Sequence, residues 1–175
     1  MSNRRVVRCA LTETKNAYEK MPDKIEDLHL LNDRLDEIRR ANVEHHIDLM
    51  RAAAQQGVQV ICFGELFTAP YFALGTDPMW LPMAEDARTG PTVTELSAAA
   101  KELNMIVVAP LFEYDSVQDK RYNTAVVIDE SGSVLGKFRK AHIPYGANEQ
   151  GAFHENFYYD RSDGRNCGQE PPVDL

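Results

Sequence analysis

Two charged side chains follow strand-like apolar runs in this sequence, and their types suit acid–base chemistry. Glu65 lies in GELF (64–67), directly after the apolar run VQVICF, and Lys140 lies in GKFRKAHIP (136–144). The ends of buried strands are where α/β folds usually position their reactive groups. A carboxylate and an ammonium held in this way would supply two members of a catalytic set whose third member is a nucleophile.

Each charged residue also has a structural interpretation. Burial at a strand end would suit Glu65 to general-base catalysis, but such a carboxylate can equally bind backbone amides or an arginine. Lys140 alternates with other basic residues, so either one cation points inward or the run is a basic strand edge that resists aggregation. Glu155, in HENFYY (154–159), is either a second carboxylate that orients Lys140 or one surface acid among 27 Asp and Glu residues.

No nucleophile or metal site can be identified from the remaining residues. Cys9 and Cys62 lie in predicted core strands, where we expect buried, inert thiols. Cys167 lies in a polar segment with nothing nearby to fix its geometry. The adjacent His45 and His46 point to different faces of a helix, so they do not form a metal-binding pair at i, i+4 spacing.

The elements that must position these residues follow from apolar periodicity. Helical spacing begins near Asp33 and again at Thr92, where Thr92-x-x-Glu95 matches a capping box. Strands are predicted over 6–11, 58–63, 105–109, 124–129 and 134–138, with a polar excursion over 12–31 and an aromatic loop over 68–88. This order of strand, helix, strand, helix, strand and a final hairpin indicates an α/β fold with a sheet of mixed direction.

Composition narrows the class of protein. A chain of 175 residues with 43% hydrophobic and 26% charged residues is typical of one globular domain. A net charge of −8 argues against nucleic acid or an anionic membrane as the main partner, and no apolar run is long enough to span a bilayer. Three widely spaced cysteines suit a reducing compartment, so we expect a cytoplasmic location.

Several motifs in order resemble the carbon–nitrogen hydrolase (nitrilase) family, and in particular its N-carbamoylputrescine amidase and β-ureidopropionase-like branch. They are VQVICFGELFTAPYF, GPTVTELSAAAKELNMIVVAPLFE, YNTAVVIDESGSVLGKFRKAHIP and HENFYY. The resemblance implies a four-layer α-β-β-α sandwich, assembly into homo-oligomers and no metal or organic cofactor. It also implies a Glu–Lys–Cys triad, in which Glu65 matches the general base, Lys140 the oxyanion-stabilising lysine and Glu155 the positioning glutamate.

The chain departs from the family pattern at two places. Gly64 replaces the proline that usually precedes the glutamate, and the family's Cys-Trp-Asp motif for the nucleophile has no match. Cys167 comes earlier than the family places its cysteine, so a relocated nucleophile there is a further alternative. We expect residues 1–159 to be an incomplete, N-terminal part of the domain and 160–175 to be an unrelated, disordered tail.

By resemblance, the predicted function is hydrolysis of non-peptide carbon–nitrogen bonds in linear amides or N-carbamoyl compounds. We assign Tyr71, Phe72 and His142 to the pocket for such a small substrate. Because no nucleophile is identified, we expect this chain alone to be inactive. The alternative is a non-catalytic half-domain whose unpaired sheet edge associates with full-length subunits and modulates their assembly.

Overall fold

A five-stranded mixed sheet is the centre of the fold. The computed structural model describes residues 6–148 and 151–162. The strands lie in chain order across the sheet: β1 (Cys9–Leu11), β2 (Val60–Cys62), β3 (Ile106–Asp115), β4 (Lys120–Ile128) and β5 (Val134–Arg139). The first three strands are parallel and the last three antiparallel. The predicted α/β class and mixed sheet are therefore confirmed.

Two amphipathic helices cover one face of this sheet. α1 (Leu35–Gln55) precedes β2, and α2 (Pro91–Leu103) precedes β3. Just after α1, Gly57 adopts the left-handed conformation, with φ of 73°, that commonly follows the end of a helix. The apolar stripes of both helices pack against alternate residues of the strands in one buried core, formed among others by Val43, Met50, Val93, Leu96, Ile61, Val107, Leu111 and Ile128.

Much of the other face of the sheet is open among the described residues. Leu11 of β1 is 83% exposed and Phe138 of β5 is 50% exposed. Side chains alternate across a strand, so these two residues point away from the helices, whereas Ala10 packs against the helical core. The described residues thus form one helical layer and one sheet layer.

A second apolar cluster lies under the long loop between β2 and α2. Two short 3₁₀ helices, Phe72–Leu74 and Pro78–Met83, fold this loop onto the protein. The Phe72 and Trp80 rings stack with centroids 5.5 Å apart, and Phe112 of β3 packs against Phe72 at the same distance. This cluster anchors a loop that the sequence presented only as aromatic and aperiodic.

The last described segment docks on this second cluster. A two-stranded hairpin, β6 (Tyr145–Asn148) and β7 (Gly151–His154), leads into the single-turn helix α3 (Glu155–Tyr158). The Tyr158 ring contacts Phe72 with a centroid distance of 4.8 Å, and its hydroxyl donates to the Asp77 carbonyl at 3.0 Å. Packing of Tyr158 therefore fixes the position of Glu155.

Some predicted boundaries were wrong. The first strand begins at Cys9, because Val6 and Val7 are exposed and precede the ladder with β2. Part of the predicted polar excursion forms a 3₁₀ helix over Ile25–Arg34. β3 and β4 extend into a long hairpin that the sequence did not reveal. The predicted tail at 160–175, including Cys167, lies outside the described residues beyond position 162.

The predicted capping box at Thr92 was also wrong. α2 begins at Pro91 with Gly90 as its N-cap. The carboxylate of Glu85, which is 9% exposed, accepts a hydrogen bond from the Thr92 backbone N–H at 2.8 Å. A glutamate from the preceding loop thus caps the helix in place of the local pair. Within the described residues, the helices lack the combination of length and apolarity that a membrane span requires.

Candidate active site

Three charged side chains meet at the end of β2, and Lys140 is at their centre. The Lys140 Nζ donates to Glu65 Oε1 at 2.8 Å and to Glu155 Oε2 at 2.9 Å. The three residues come from the loop after β2, the residue after β5 and the first residue of α3. The structure therefore brings together Glu65, Lys140 and Glu155, which the sequence singled out from positions up to 90 residues apart.

The backbone after β2 turns sharply to present Glu65. Leu66 adopts the left-handed conformation with φ of 52° and is 3% exposed, which anchors the turn in the second apolar cluster. The Gly64 N–H donates to Thr12 Oγ1 at 3.3 Å. A proline at position 64 could not make this bond because it has no N–H. The departure from the family pattern therefore has a local structural consequence.

A buried ionic network fixes the strand that ends beside Lys140. Arg139 is 3% exposed, and its guanidinium donates to Glu113 at 2.9 Å and 2.5 Å and to Asp115 at 2.6 Å. Lys137 also contacts the Glu113 carboxylate. Arg139 and Lys140 are adjacent and so point to opposite faces of the strand. Anchoring Arg139 on one face holds the Lys140 amine on the other, towards Glu65.

The charges around Lys140 favour its ammonium form. Partial burial lowers the pKa of Lys140, but hydrogen bonds to Glu65 and Glu155 outweigh this effect and place the pKa above its usual value. Glu155 is 4% exposed, and its second oxygen accepts a hydrogen bond from the Tyr71 hydroxyl at 3.0 Å. Burial and the neighbouring Glu155 also raise the pKa of Tyr71. Lys140 is therefore positively charged at neutral pH, a form that can stabilise a developing negative charge.

A cleft of about 300 Å³ opens beside Glu65. Its walls come from the loop after β1, residues 12–16, and from residues 64–67 and 69–71 with Asn42. The Glu65 side chain is 50% exposed, so a small molecule in this space could reach its carboxylate. Within residues 6–148 and 151–162, no three His, Cys, Asp or Glu side chains are arranged to hold a metal ion.

Comparison with known proteins identifies the family. The family model described as carbon-nitrogen hydrolase matches residues 37–175, a range that includes Glu65, Lys140 and Glu155. The chain belongs to the carbon–nitrogen hydrolase family. The resemblance read from its motifs is therefore confirmed.

Two curated relatives of the chain are of the predicted branch. Beta-ureidopropionase of Arabidopsis thaliana is 34% identical over 116 residues, which is 66% of this chain and 27% of that protein. N-carbamoylputrescine amidase of Solanum tuberosum is 34% identical over 115 residues, which is 66% of this chain and 36% of that protein. The chain thus spans between 27% and 36% of the length of these two relatives.

A solved structure supports the fold assignment. The crystal structure of a carbon–nitrogen hydrolase from Helicobacter pylori G27 superposes with a TM-score of 0.61 and 26% sequence identity. The superposition covers 71% of this chain and 41% of that chain. The nitrilase-like fold predicted for this part of the domain is confirmed.

The sequence did not reveal Asn123, which completes the polar cluster. Asn123 of β4 is 6% exposed, and its side-chain amide donates to Glu65 Oε1 at 2.6 Å. Its backbone carbonyl accepts from the Lys140 N–H at 2.8 Å. The only sequence signal was a polar residue within the apolar strand YNTAVVI, and that signal does not identify its partner.

The residues assigned to the substrate pocket separate in the structure. Tyr71 is 41% exposed and lines the cleft beside Glu65. Phe72, assigned to the same pocket, is 3% exposed and packs in the second apolar cluster. His142 is an exposed side chain beyond β5. Of the three residues, Tyr71 has the described position that best suits substrate contact.

The expectation of buried cysteines was wrong for Cys9. Cys9 is exposed and Cys62 is half-buried, because both lie on the open face of the sheet rather than the helical face. The Cys62 Sγ contacts the Phe63 carbonyl at 3.5 Å. Among the described residues, neither thiol bonds to Glu65, Lys140 or Glu155. The described part of the site therefore contains a carboxylate pair and an ammonium without a thiol beside them.

Proposed function

We propose that this chain contributes the general base and the oxyanion-stabilising cation to hydrolysis of linear amides or N-carbamoyl compounds. The Lys140 amine, bonded to Glu65 at 2.8 Å and to Glu155 at 2.9 Å, is the observation that carries the proposal. A cation that carboxylates hold on two sides is oriented before a substrate arrives, and preorganised charge is the main source of electrostatic stabilisation in catalysis. The N-carbamoyl relatives support this substrate class.

The proposed chemistry needs a nucleophilic cysteine thiol, and none of the contacts of Glu65, Lys140 or Glu155 described above involves one. Glu65 takes the thiol proton while sulfur attacks the carbonyl carbon, and Lys140 stabilises the resulting oxyanion. The tetrahedral intermediate expels ammonia, which takes its proton from Glu65, and leaves a thioester. Glu65 then removes a proton from water, which attacks the thioester and restores the thiol. Overall, a linear amide and water give a carboxylic acid and ammonia. An N-carbamoyl compound and water give ammonia and a carbamic acid, which then decomposes to the free amine and CO2.

Reconstitution with a fragment that supplies a nucleophilic cysteine tests the proposal. The full 175-residue chain would be co-expressed with the part of the Solanum tuberosum amidase that it does not match, and ammonia release from N-carbamoylputrescine and N-carbamoyl-β-alanine would be measured. We expect release from the pair and none from the chain alone. Glu65→Gln and Lys140→Met should abolish it, whereas Glu102→Gln and Lys101→Met, at exposed positions on α2, should not.

Two outcomes of this assay would contradict these expectations. Release by the pair that survives Glu65→Gln would refute the assigned role of Glu65. Turnover by the chain alone that Glu65→Gln abolishes would refute the expectation of inactivity and point to a thiol of this chain. Replacement of Cys167 by serine would then show whether that thiol is the nucleophile.

A second candidate function rests on the open sheet face. Leu11, Leu135 and Phe138 are at least 50% exposed, and Leu11 and Phe138 belong to the two outermost strands of the sheet. A face of this kind suits association with a full-length subunit of the same family, which would make the chain a modulator of assembly. Co-expression with an intact relative followed by size-exclusion chromatography tests this. Separate elution of the two chains would exclude it.

We further propose that the chain works as a homo-oligomer in the cytoplasm. The two free thiols at Cys9 and Cys62 suit a reducing compartment, and the exposed apolar residues of the sheet suit self-association. Light scattering at several protein concentrations would measure the mass. A mass equal to the 19.8 kDa chain at every concentration would contradict self-association.

A further inference from the structure

We propose that Asn123 is a positioning residue that fixes the Glu65 carboxylate so that its Oε2 atom is the one that accepts the proton. This inference rests on the proposed function of Glu65 as general base, and it adds the residue and the carboxylate oxygen through which that function would operate. The supporting observation is that Asn123 contacts both Glu65 and Lys140.

Two donors converge on the same oxygen of Glu65. The Asn123 side-chain amide lies 2.6 Å from Oε1, and the Lys140 ammonium lies 2.8 Å from the same atom. Among the described residues, no donor bonds to Oε2. A carboxylate oxygen that already accepts two short hydrogen bonds is a weak proton acceptor. The carboxylate therefore presents Oε2, and not Oε1, to an incoming thiol or water.

Asn123 is itself held rigidly. It is 6% exposed and lies within the long β3–β4 ladder, opposite Phe112 of the second apolar cluster. Glu65, in contrast, has a side chain that is 50% exposed and would otherwise sample several rotamers. A short, buried amide is thus the element that selects one orientation of a longer, half-exposed carboxylate.

The same residue also sets the distance between base and cation. The backbone carbonyl of Asn123 accepts from the Lys140 N–H at 2.8 Å, so one residue binds Glu65 through its side chain and Lys140 through its main chain. An amide is suited to this place because it donates without adding a charge. An aspartate there would have no N–H and would repel Glu65.

An NMR experiment on the full chain tests this assignment without any turnover. A charge-assisted hydrogen bond should move one Nδ2 proton of Asn123 downfield of the side-chain amide protons of Asn104, which is exposed at the end of α2. Glu65→Ala should remove that shift, whereas Glu102→Ala at an exposed position should leave it.

The result that overturns the proposal is equally specific. An Asn123 amide signal that is the same in the wild type and Glu65→Ala would show that the amide does not bind the carboxylate. Because Glu65 is half-exposed, its truncation removes no core packing. This readout is independent of the ammonia assay, so a failure of the proposed function and a failure of the Asn123 assignment can be told apart.

A second experiment measures kcat and KM of the reconstituted pair. Asn123→Leu should lower kcat by about 10²-fold with little change in KM, because the base is misplaced while the cleft is intact. Asn123→Ser, which keeps a donor at this position, should recover part of the loss. A rise in KM at constant kcat would indicate a role in substrate binding and would overturn the positioning role.

Discussion

Replacement of Glu113 by glutamine is predicted to destabilise the fold by about 3 kcal/mol, because the buried Arg139 would lose its main counter-charge. Glu113 is 1% exposed and accepts hydrogen bonds from Arg139, Lys137 and Thr124. Removing one partner of a buried ion pair costs about 3–5 kcal/mol. We take the lower end of that range because Asp115 still binds Arg139, at 2.6 Å.

Thermal unfolding followed by circular dichroism would measure this effect. In a domain of this size, 1 kcal/mol corresponds to about 2–4 °C, so the Tm of Glu113→Gln should fall by roughly 6–12 °C at pH 7. Glu95→Gln is the matched control, because its pair with Arg39 at 2.9 Å is more exposed, with a Glu95 side chain that is 42% exposed. Its loss should cost less than about 1 kcal/mol.

The pH dependence gives a second test of the same pair. Burial raises the pKa of Glu113, but hydrogen bonds from Arg139, Lys137 and Thr124 outweigh it and lower the pKa below the usual 4.5. The stabilisation is therefore fully present above pH 4.5 and is lost as the pH falls through the folded-state pKa. The gap in Tm between the wild type and Glu113→Gln should be constant at neutral pH and should shrink in acid.

A double mutant decides whether the loss comes from an unpaired charge. Glu113→Gln with Arg139→Met should be less destabilised than the sum of the two single variants, because the second change removes the uncompensated cation. A single-variant loss below about 1 kcal/mol, or strictly additive losses, would refute the reasoning.

Three further outcomes are expected. Glu155→Gln should lower the pKa of Lys140, because it removes a charged acceptor from the ammonium. Competitive acetylation of Lys140 at a fixed alkaline pH should then become faster. An unchanged acetylation rate would argue against the ion pair between Lys140 and Glu155. Phe72→Ala should lower the free energy of unfolding in urea by about 3–5 kcal/mol, whereas Tyr71→Phe should lower it by about 1 kcal/mol. Equal losses would contradict the core position of Phe72. Burial lowers the pKa of His46 below 6.5, so the free energy of unfolding should fall as the pH drops below 6.5. A His46→Gln variant that loses the same stability over this pH range would exclude His46 as the cause.

The residues at strand ends could be predicted from the sequence, because the signals for them are local. An apolar run followed directly by Glu65 marks both the end of a strand and a charge beside it. Lys140 follows the predicted strand at 134–138, whereas Glu155 was singled out from the aromatic segment HENFYY. The order of strands and helices followed from periodicity alone. The structure adds that these three side chains meet, which local patterns can suggest but not establish.

The residues that the sequence did not reveal depend on strand register. Asn123 reaches Glu65 across 58 residues of chain, and Arg139 reaches Glu113 across 26. The β3–β4 turn at 116–119 has no glycine or proline, and Asp119 supplies the left-handed residue with φ of 52°. Without a recognisable turn, neither the hairpin nor its cross-strand pairs could be read from the sequence.

The sequence also did not show which face of the sheet each strand residue occupies. β1 has only three residues, and a shift of one residue exchanges the two faces of a strand. Cys9 therefore could not be assigned to the open face from apolar character alone. The burial of Phe72 could not be predicted for a related reason, since an aromatic loop can line a pocket or fold into a core.

The central claim is that Glu65 and Lys140 are the base and the oxyanion-stabilising cation of an amide-hydrolysing site. The most direct test is the initial rate of ammonia release from N-carbamoylputrescine by the reconstituted pair. We predict that Glu65→Gln and Lys140→Met each lower this rate by about 10²-fold or more, while Glu102→Gln leaves it within about twofold. Equal rates for the wild type, Glu65→Gln and Lys140→Met would contradict the claim.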